Sequence, residues 1–432
     1  MSDVSFVRKE MLPDQDPPLS EAGIIKWFHE NMFSSIPNGI VSIAAIWAVY
    51  FVLSSILPWM FHSSWNAASL TECRANIIAD YGPGTTGACW AVIHERFNQL
   101  IFGFYPKELY WRPIVAFALM LVAIAPVLFE GLPKKILRFT MVYPFLAFWL
   151  LWGGTVWLPL MIVAGFVLGF IAFNIVTKMA SSLLGIIAFV LVPIIWWLLF
   201  AGAATDLLQS VIPLSIEAVP SSSFGGFMLS ITIGTVGIAL SLPIGVVLAL
   251  GRQSDLMIVR VICIGFIEFI RGVPLITLLF VASTLLNYFM PPGTNFDLIL
   301  RVVIMVTLFA SAYMAEVIRG GLAALPKGQY EGADSLGLDF WQSTQLIIMP
   351  QALKISIPNI VSTFIGLFKD TTLVSIIGLM DPIGLSNNIR ANQEWNGIIW
   401  ELYGFIAFVF FIFCFAMSRY SMYLERKLQT GH

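Results

Sequence analysis

Residues 328–350, GQYEGADSLGLDFWQSTQLIIMP, form a polar segment between two long apolar stretches of the sequence. Two apolar stretches joined in this way predict two membrane spans with a structured connection between them. A short helical connection that carries one apolar face is suited to a groove on another protein. We therefore expect this segment to be offered to a soluble partner.

The composition agrees with a membrane protein. Apolar residues make up 58% of the chain and charged residues only 11%, whereas soluble domains have about one-quarter charged residues. With about 20 residues for each span, the sequence predicts an all-α polytopic membrane protein with about ten transmembrane helices. The net charge of -2 argues against nucleic acid as a partner, because no basic face is available to replace phosphate counterions. The protein is therefore expected to be surrounded by lipid.

Ten apolar segments are candidate spans. They cover 39–60, 113–130, 139–156, 158–177, 183–203, 225–250, 266–288, 298–318, 355–378 and 398–419. With ten spans, the short loops that contain Lys and Arg fall on one side, and the loops 204–222 and 289–297 contain neither residue. The positive-inside rule then places the 328–350 segment and both termini in the cytosol. Loop 61–112 is placed outside although it contains four basic residues, since long loops follow the rule weakly.

The sequence divides into three parts. Residues 1–38 read as a cytosolic tail, residues 39–222 as an aromatic-rich membrane extension, and residues 223–427 as the working core. Small residues become frequent from Gly225 onward, which lets helices approach closely. This pattern also occurs in helix packing of any membrane bundle. Cys73 and Cys89 share the outer loop, where a disulfide can form in an oxidising space.

The 328–350 segment is interpreted as two short helices. The first begins at Glu331, Gly337 allows the turn, and the second covers 340–348 and ends before Pro350. An ordinary amphipathic hairpin has the same pattern.

Two charged pairs repeat the sequence Glu-x-Ile-Arg-Gly. They are Glu268 with Arg271 and Glu316 with Arg319. Residues three apart share one helix face, so each pair can neutralise itself at the membrane boundary. The pairs are either anchors of helix ends or parts of a cytosolic gate or subunit contact. Gly272 and Pro274 are expected to interrupt the helix that follows the first pair.

A second group of polar residues lies deep in the span 355–378. Ionisable residues inside a membrane predict a functional site, and Lys369 and Asp370 could face the carboxylate and the ammonium of an amino acid. Thr371 and Thr372 would complete its hydrogen bonds, with Asn359, Ser362 and Glu316 as weaker candidates. The alternative is a structural pair that satisfies an unwound helix.

The sequence lacks the motifs of several kinds of nucleotide-binding, catalytic and metal-binding sites. No GxxxxGK[ST] phosphate loop, HExxH motif or clustered Cys and His residues occur. We expect no catalytic residues, no metal and no cofactor in this chain, and energy must come from partners.

The spacing of Glu331, Gly332, Ala333, Gly337, Ile347 and Pro350 resembles the EAA loop of permeases of ATP-binding-cassette (ABC) importers. Gly332 stands in place of the usual alanine, and Met349 in place of the usual leucine. The segments from Glu268, Glu316 and Gly366 are similar to permeases of polar amino acid importers, and the long extension resembles the general or acidic L-amino-acid subgroup. The resemblance covers roughly 220–425.

This resemblance implies a C-terminal five-helix type I (MetI-like) core in a bacterial inner membrane. It also implies a second, related permease subunit, two cytosolic ATPase subunits that bind ATP and Mg, and a periplasmic amino-acid-binding protein. The expected function is ATP-driven import of polar or acidic L-amino acids. Two alternatives are an ion-gradient-driven secondary transporter, which would need ionisable residues in both halves, and a membrane assembly subunit that transports nothing.

Overall fold

The computed structural model describes residues 23–129, 131–285, 288 and 297–429. Residues 1–22 of the predicted tail and residues 289–296 of the predicted basic-free loop lie outside this range. The chain forms two units, which are divided between Ala91 and Val92.

The first unit contains three helices and a disulfide. The helices are α1 (Gly23–Met32), α2 (Ile36–Phe61) and α3 (Leu70–Tyr81). Ser35 caps α2 by accepting a hydrogen bond from the Asn38 N–H, and α2 contains the predicted span 39–60. Cys73, on α3, is bonded to Cys89. The pairing expected from the shared loop is thus present in the structure.

The second unit is helical apart from one short strand pair. The membrane-extension part of this unit contains α4 (Ala91–Phe102), α5 (Trp111–Leu128), α6 (Leu137–Trp152), α7 (Trp157–Met179), α8 (Ser182–Ile195), a π-helical turn (Trp196–Phe200) and α9 (Ala201–Val211). The strands β1 (Gly154–Thr155) and β2 (Ser215–Ile216) pair in antiparallel fashion. The predicted loop 204–222 is wrong in its first part, because the helix continues to Val211.

The remaining helices form a packed bundle. They are α10 (Gly226–Arg252), α11 (Met257–Gly272), α12 (Leu275–Phe280), α13 (Leu298–Ala323), α14 (Lys327–Ser335), α15 (Phe340–Ser343), α16 (Met349–Asp370), α17 (Pro382–Ala391) and α18 (Trp400–Gln429). A π-helical turn (Val281–Leu285) extends α12, another (Thr344–Ile348) precedes α16, and a 3₁₀ segment (Thr371–Ile377) follows α16.

Nine helical segments of the described chain are long and apolar enough to cross a membrane. A tenth is formed if α11 and the segment Leu275–Leu285 count as one span, although they meet at a bend of 101°. The bend lies at Gly272 and Pro274, as predicted, because proline removes a helix hydrogen bond and clashes with the preceding turn. The predicted span 266–288 is thus interrupted where the sequence predicted, and its described helices before Gly272 and after Pro274 run in different directions.

Small residues bring the bundle helices close together. A Cβ atom at Gly245 of α10 would lie 2.7 Å from Met314 Cβ of α13, and one at Gly234 would lie 2.9 Å from Phe368 of α16. On α13, a Cβ at Gly321 would lie 2.6 Å from the Ala352 carbonyl oxygen of α16. The small residues that begin at Gly225 thus allow α10, α13 and α16 to pack at short distance.

The bundle has two ends, which we name by the limits of α10. At the Gly226 end, Trp152 of α6 packs on Phe224 with ring centroids 4.5 Å apart, and Gly225 pairs with Met380. At the Arg252 end lie the C-termini of α10, α11 and α13 together with the hairpin formed by residues 327–348, called here the 327–348 hairpin. Candidate functional residues lie near both ends of the bundle.

Candidate functional site

The 327–348 hairpin contains the predicted glycine turn. Gly337 has φ +70°, a conformation that side chains other than glycine rarely adopt. The Gly337 N–H donates to the Asp334 carbonyl at 2.9 Å. Asp339 and Gln342 then form a reciprocal capping box that starts α15. The turn is therefore fixed from both sides.

Two predicted helix limits of this hairpin are wrong. The first helix begins at Lys327, directly after Pro326, rather than at Glu331. The second does not end before Pro350, because the π-helical turn Thr344–Ile348 leads without a break into α16. Proline is tolerated in the first turn of a helix, where its missing N–H has no partner to lose. The hairpin is thus joined rigidly to a spanning helix.

The two faces of the hairpin differ. Ala333 and Ile348 are buried, and the Gln351 side chain donates to the Gln329 side chain at 2.9 Å. Four large apolar side chains of the other face are between 61% and 74% exposed, namely Leu336, Phe340, Trp341 and Leu346. Of the predicted coupling residues, Ala333 is buried, Ile347 is half-buried, and Glu331, Gly332, Gly337 and Pro350 are exposed. The hairpin therefore has one exposed apolar face, while its opposite face is packed against the protein.

Glu316 is the centre of a charged cluster at the Arg252 end. Its carboxylate lies 2.7 Å from Arg252, 2.9 Å from Arg319 and 3.6 Å from Arg271. Arg252 also pairs with Glu268 at 2.9 Å. These five residues, called here the Glu316 cluster, connect α10, α11 and α13, so the three helix ends are held together by charge.

The predicted pairing within each Glu-x-Ile-Arg-Gly sequence is only half correct. Glu316 does pair with Arg319. Glu268, however, pairs with Arg252 of the preceding helix, and Arg271 pairs with Glu316 and stacks on the Tyr313 ring at 5.5 Å. Helix packing brings these more favourable partners together, whereas sequence spacing considers only a single helix.

Lys369 and Asp370 lie where α16 changes into the 3₁₀ segment. Lys369 is exposed and Asp370 is half-buried, and neither has an ion pair within 4 Å in the described part of the chain. The Thr371 hydroxyl donates to the Phe368 carbonyl, and the Thr372 hydroxyl donates to the Lys369 carbonyl. Both hydroxyl hydrogens are used within the chain, so only their lone pairs can serve a ligand.

Glu316 does not approach Lys369 and Asp370. A Cβ at Gly237 would contact both Leu367 and Val306, so the end of α16 lies level with Val306 of α13. Glu316 is ten residues further along α13, which corresponds to about 15 Å. The backbone carbonyl of Asn359 accepts a hydrogen bond from the Thr363 hydroxyl, and Ser362 is exposed. The predicted grouping of Glu316 with Lys369–Thr372 is therefore wrong.

Sequence reasoning missed two buried polar residues near the Gly226 end. Asp381 is fully buried and caps α17 by accepting from the Ile383 and Gly384 N–H groups. Burial raises the pKa of its carboxyl to about 6, against the opposing effect of these hydrogen bonds. Arg301 of α13 donates to the Ala282 and Ser283 carbonyls at the end of the bent segment. The Asp-Pro sequence at 381–382 was a usable signal for a helix start.

A multi-span bundle with close-packed small residues, a bent span and a hairpin with an exposed apolar face has the architecture of a membrane transport permease. Comparison with known proteins gives the family. Residues 241–430 match the model of the binding-protein-dependent transport system inner membrane component. The chain is 57% identical to the glutamate/glutamine/aspartate/asparagine transport system permease protein BztC of Rhodobacter capsulatus, with all of both chains covered. This protein belongs to that family and is a permease subunit of an ABC transporter.

A second relative is similar over most of its length. The inner membrane amino-acid ABC transporter permease protein YhdY of Escherichia coli is 39% identical, with 94% of this chain and 93% of that protein covered. Among solved structures, one of an amino acid ABC transporter with histidines has a TM-score of 0.42 and 28% identity. It covers 46% of this chain and 91% of its own.

Proposed function

We propose that this permease forms part of the pathway of an ATP-driven importer of acidic and polar L-amino acids, such as glutamate, glutamine, aspartate and asparagine. The proposal is supported by the substrates in the name of BztC, which is similar over the full length of the chain. The name of YhdY supports amino acids as the broader class.

The exposed apolar face of the 327–348 hairpin is the main support for a proposed coupling between this permease and an ATPase. Leu336, Phe340 and Trp341 are exposed on a hairpin whose turn is fixed by Gly337 and a capping box. A preformed apolar helical face loses little entropy when it enters a groove. We assign this face to one of two cytosolic ATPase subunits, which bind ATP and Mg. This assignment places the hairpin and both termini in the cytosol and the Gly226 end at the periplasm.

Movement of the hairpin would reach the other end of the bundle through α16. This helix continues from the hairpin without a break and has 22 residues, so it is about 33 Å long. Its far end carries Lys369 and Asp370. An ATPase that tilts the hairpin would therefore displace these charges. The Glu316 cluster would hold α10, α11 and α13 together as one gate element during this movement.

Lys369 and Asp370 are the proposed substrate residues. An ammonium and a carboxylate in neighbouring positions can pair with the two charges of an amino acid. Both lie at the junction of α16 and the 3₁₀ segment, without a close ion pair in the described chain, so substrate would supply the missing counter-charges. A periplasmic binding protein would deliver the amino acid, and a second, related permease subunit would complete the pathway.

The test uses the complete transporter in proteoliposomes loaded with ATP, with uptake of radiolabelled glutamate and glutamine measured beside ATP hydrolysis. Asp370→Asn and Lys369→Gln should each lower uptake by about tenfold or more, the effect of losing one charge-assisted hydrogen bond. Lys354→Gln, which changes an exposed lysine of the same helix, is the matched control and should leave uptake unchanged.

Two outcomes would contradict the proposal. Equal uptake in all three variants would remove the substrate role from Lys369 and Asp370. Uptake that follows an ion gradient without ATP would instead identify a secondary transporter.

A further inference from the structure

A large cavity lies between the membrane extension and the core bundle. Its volume is about 850 Å³, and it is lined by residues of α5, α6, α10, α13 and α18, with Ile101 and Phe102 at the end of α4. The first five of these helices each belong to a segment long and apolar enough to cross a membrane. The cavity is therefore inside the membrane-spanning part of the second unit, away from the hairpin and the Glu316 cluster.

Polar groups around the cavity already have partners within the protein. The Thr140 hydroxyl donates to the Ala123 carbonyl, Tyr143 to Ala116, and Thr232 to Met228. Thr235 donates to the Met120 sulfur, and Trp152 donates to the Ser221 hydroxyl. Asp297, at the rim, accepts from Ser221 and from the Leu300 N–H. The surface that remains for an occupant is almost entirely apolar.

Because the polar groups around the cavity already have hydrogen-bond partners, they limit the chemical class of molecule that can occupy it. An amino acid would lose its hydration here without gaining hydrogen bonds, which is costly. Water needs two to four polar partners in a buried site. An empty space of this size would remove dispersion contacts from its whole lining. These conditions favour an apolar occupant, and the hydrocarbon of the membrane is the apolar material that surrounds these helices.

The depth of the cavity indicates which part of the membrane supplies it. Along α5 the lining runs from Pro113 to Ile124, and the helical rise between these two residues is about 16 Å. This is about half of the roughly 30 Å hydrocarbon thickness of a bilayer. The lining begins near Trp152 and Asp297 at the Gly226 end. The cavity thus matches a single leaflet rather than the whole bilayer.

We propose that this cavity is a binding site for an acyl chain of a phospholipid from the leaflet at the Gly226 end. The chain fills the space between the α5–α6 pair and the core, and so connects the extension to the helices that carry transport. It does not enter the route of the amino acid.

The test is photo-cross-linking in membranes that contain the full-length chain with its partner subunits. The probe is a phosphatidylethanolamine with a diazirine near the middle of one acyl chain, and labelled peptides are mapped by mass spectrometry. We expect dense labelling of α5 and α10 peptides from the lining. Ala239→Trp, which fills the cavity from α10, should lower this labelling at least about fivefold, because close-packed space admits no second occupant.

Ala203→Trp is the matched control, since Ala203 is an exposed alanine of α9 outside the cavity. It should leave the labelling of the lining unchanged. Ala147→Trp fills the same cavity from α6 and serves as a second variant if Ala239→Trp does not fold. Lining peptides labelled no more densely than α9, or labelling that survives both fillings, would overturn the proposal. Cross-linking to a helix of another subunit in place of lipid would overturn it as well.

Discussion

At the scale of single residues, Glu316 does more than its sequence neighbours indicate. It accepts ion pairs from three arginines that belong to three helices, and only 16% of its side chain is exposed. Glu268 is 55% exposed and contacts one arginine. Removing the more buried and more connected charge leaves three cations close together, so the two glutamates should differ strongly in their effect on stability.

We expect Glu316→Gln to lower the free energy of unfolding by about 2–3 kcal/mol, somewhat below the effect for a fully buried pair because the arginines remain partly exposed. Glu268→Gln is the matched control and should cost less than about 1 kcal/mol. The measurement is the midpoint of thermal unfolding of the purified protein in detergent. Equal shifts for the two variants would show that Glu316 does not organise the cluster.

Asp381 is predicted to make stability depend on pH. Burial raises the pKa of its carboxyl from 3.8 to about 6, so the folded state holds the proton at pH values where the unfolded chain has lost it. Stability is therefore lost as pH rises from about 4 to about 6 and is constant above that range. Asp381→Asn keeps an acceptor for the cap but has no charge to lose. Its stability relative to the natural protein should rise over this interval.

The check is the unfolding midpoint of both proteins at pH 4, 5, 6 and 8. A difference between them that does not change with pH would contradict the assigned burial of a charged Asp381.

The structural role of a residue could be predicted from the sequence where it depends only on the neighbouring residues in the chain. The turn at Gly337 and the break at Gly272 and Pro274 depend on backbone chemistry that the sequence states directly. The partners of Glu268 and Arg271 depend on how α10, α11 and α13 pack, which no spacing rule includes. Glu316 and Asp370 were grouped for their charge, yet they lie at different depths of the bundle.

At the scale of elements, the 327–348 hairpin depends on one backbone conformation. Gly337 has φ +70°, and a Cβ there would meet no other atom within 4 Å. A substitution therefore acts through backbone strain alone. Gly332 lies on α14 of the same hairpin, with a φ outside the positive region and equally open space, and so offers a control without strain.

Gly337→Val should reshape the turn, because a β-branched residue in the left-handed region costs roughly 1–2 kcal/mol or more. We expect ATP hydrolysis to continue while amino acid uptake falls, with the membrane bundle still folded. Gly332→Ala should leave the ratio of uptake to hydrolysis unchanged. Both rates are measured on the same proteoliposomes. Normal coupling in Gly337→Val would show that the turn geometry does not transmit force.

Element limits were less predictable than element identity. Hydropathy located the nine candidate spans of the described chain, because apolar length is a local property of the sequence. It placed the end of α9 too early, since Asp206 and Gln209 lower the hydropathy without ending the helix. Pro350 was read as a stop, yet it lies in the first turn of α16, where the helix tolerates it.

At the scale of the whole molecule, the family and the fold class followed from composition and from the motifs of the second half of the chain. The extension was read as additional helices with a disulfide expected between Cys73 and Cys89, which the first unit contains. Its structure adds the apolar cavity bordered by α5 and α6 in the second unit. Neither the shape of that cavity nor the hydrogen bonds that make it apolar could be read from hydropathy, which records residue type and not orientation.

The proposed coupling requires that an ATPase subunit bind the exposed face of the 327–348 hairpin. It can be tested by replacing Trp341 with benzoylphenylalanine and illuminating the complete transporter in its native membrane. Trp341 is 63% exposed at the middle of that face, so we predict a cross-link to the nucleotide-binding subunit. The same replacement at Ala203 should give none. If Trp341 yields only lipid adducts or no adduct while transport is active, the hairpin is not the surface that binds the ATPase.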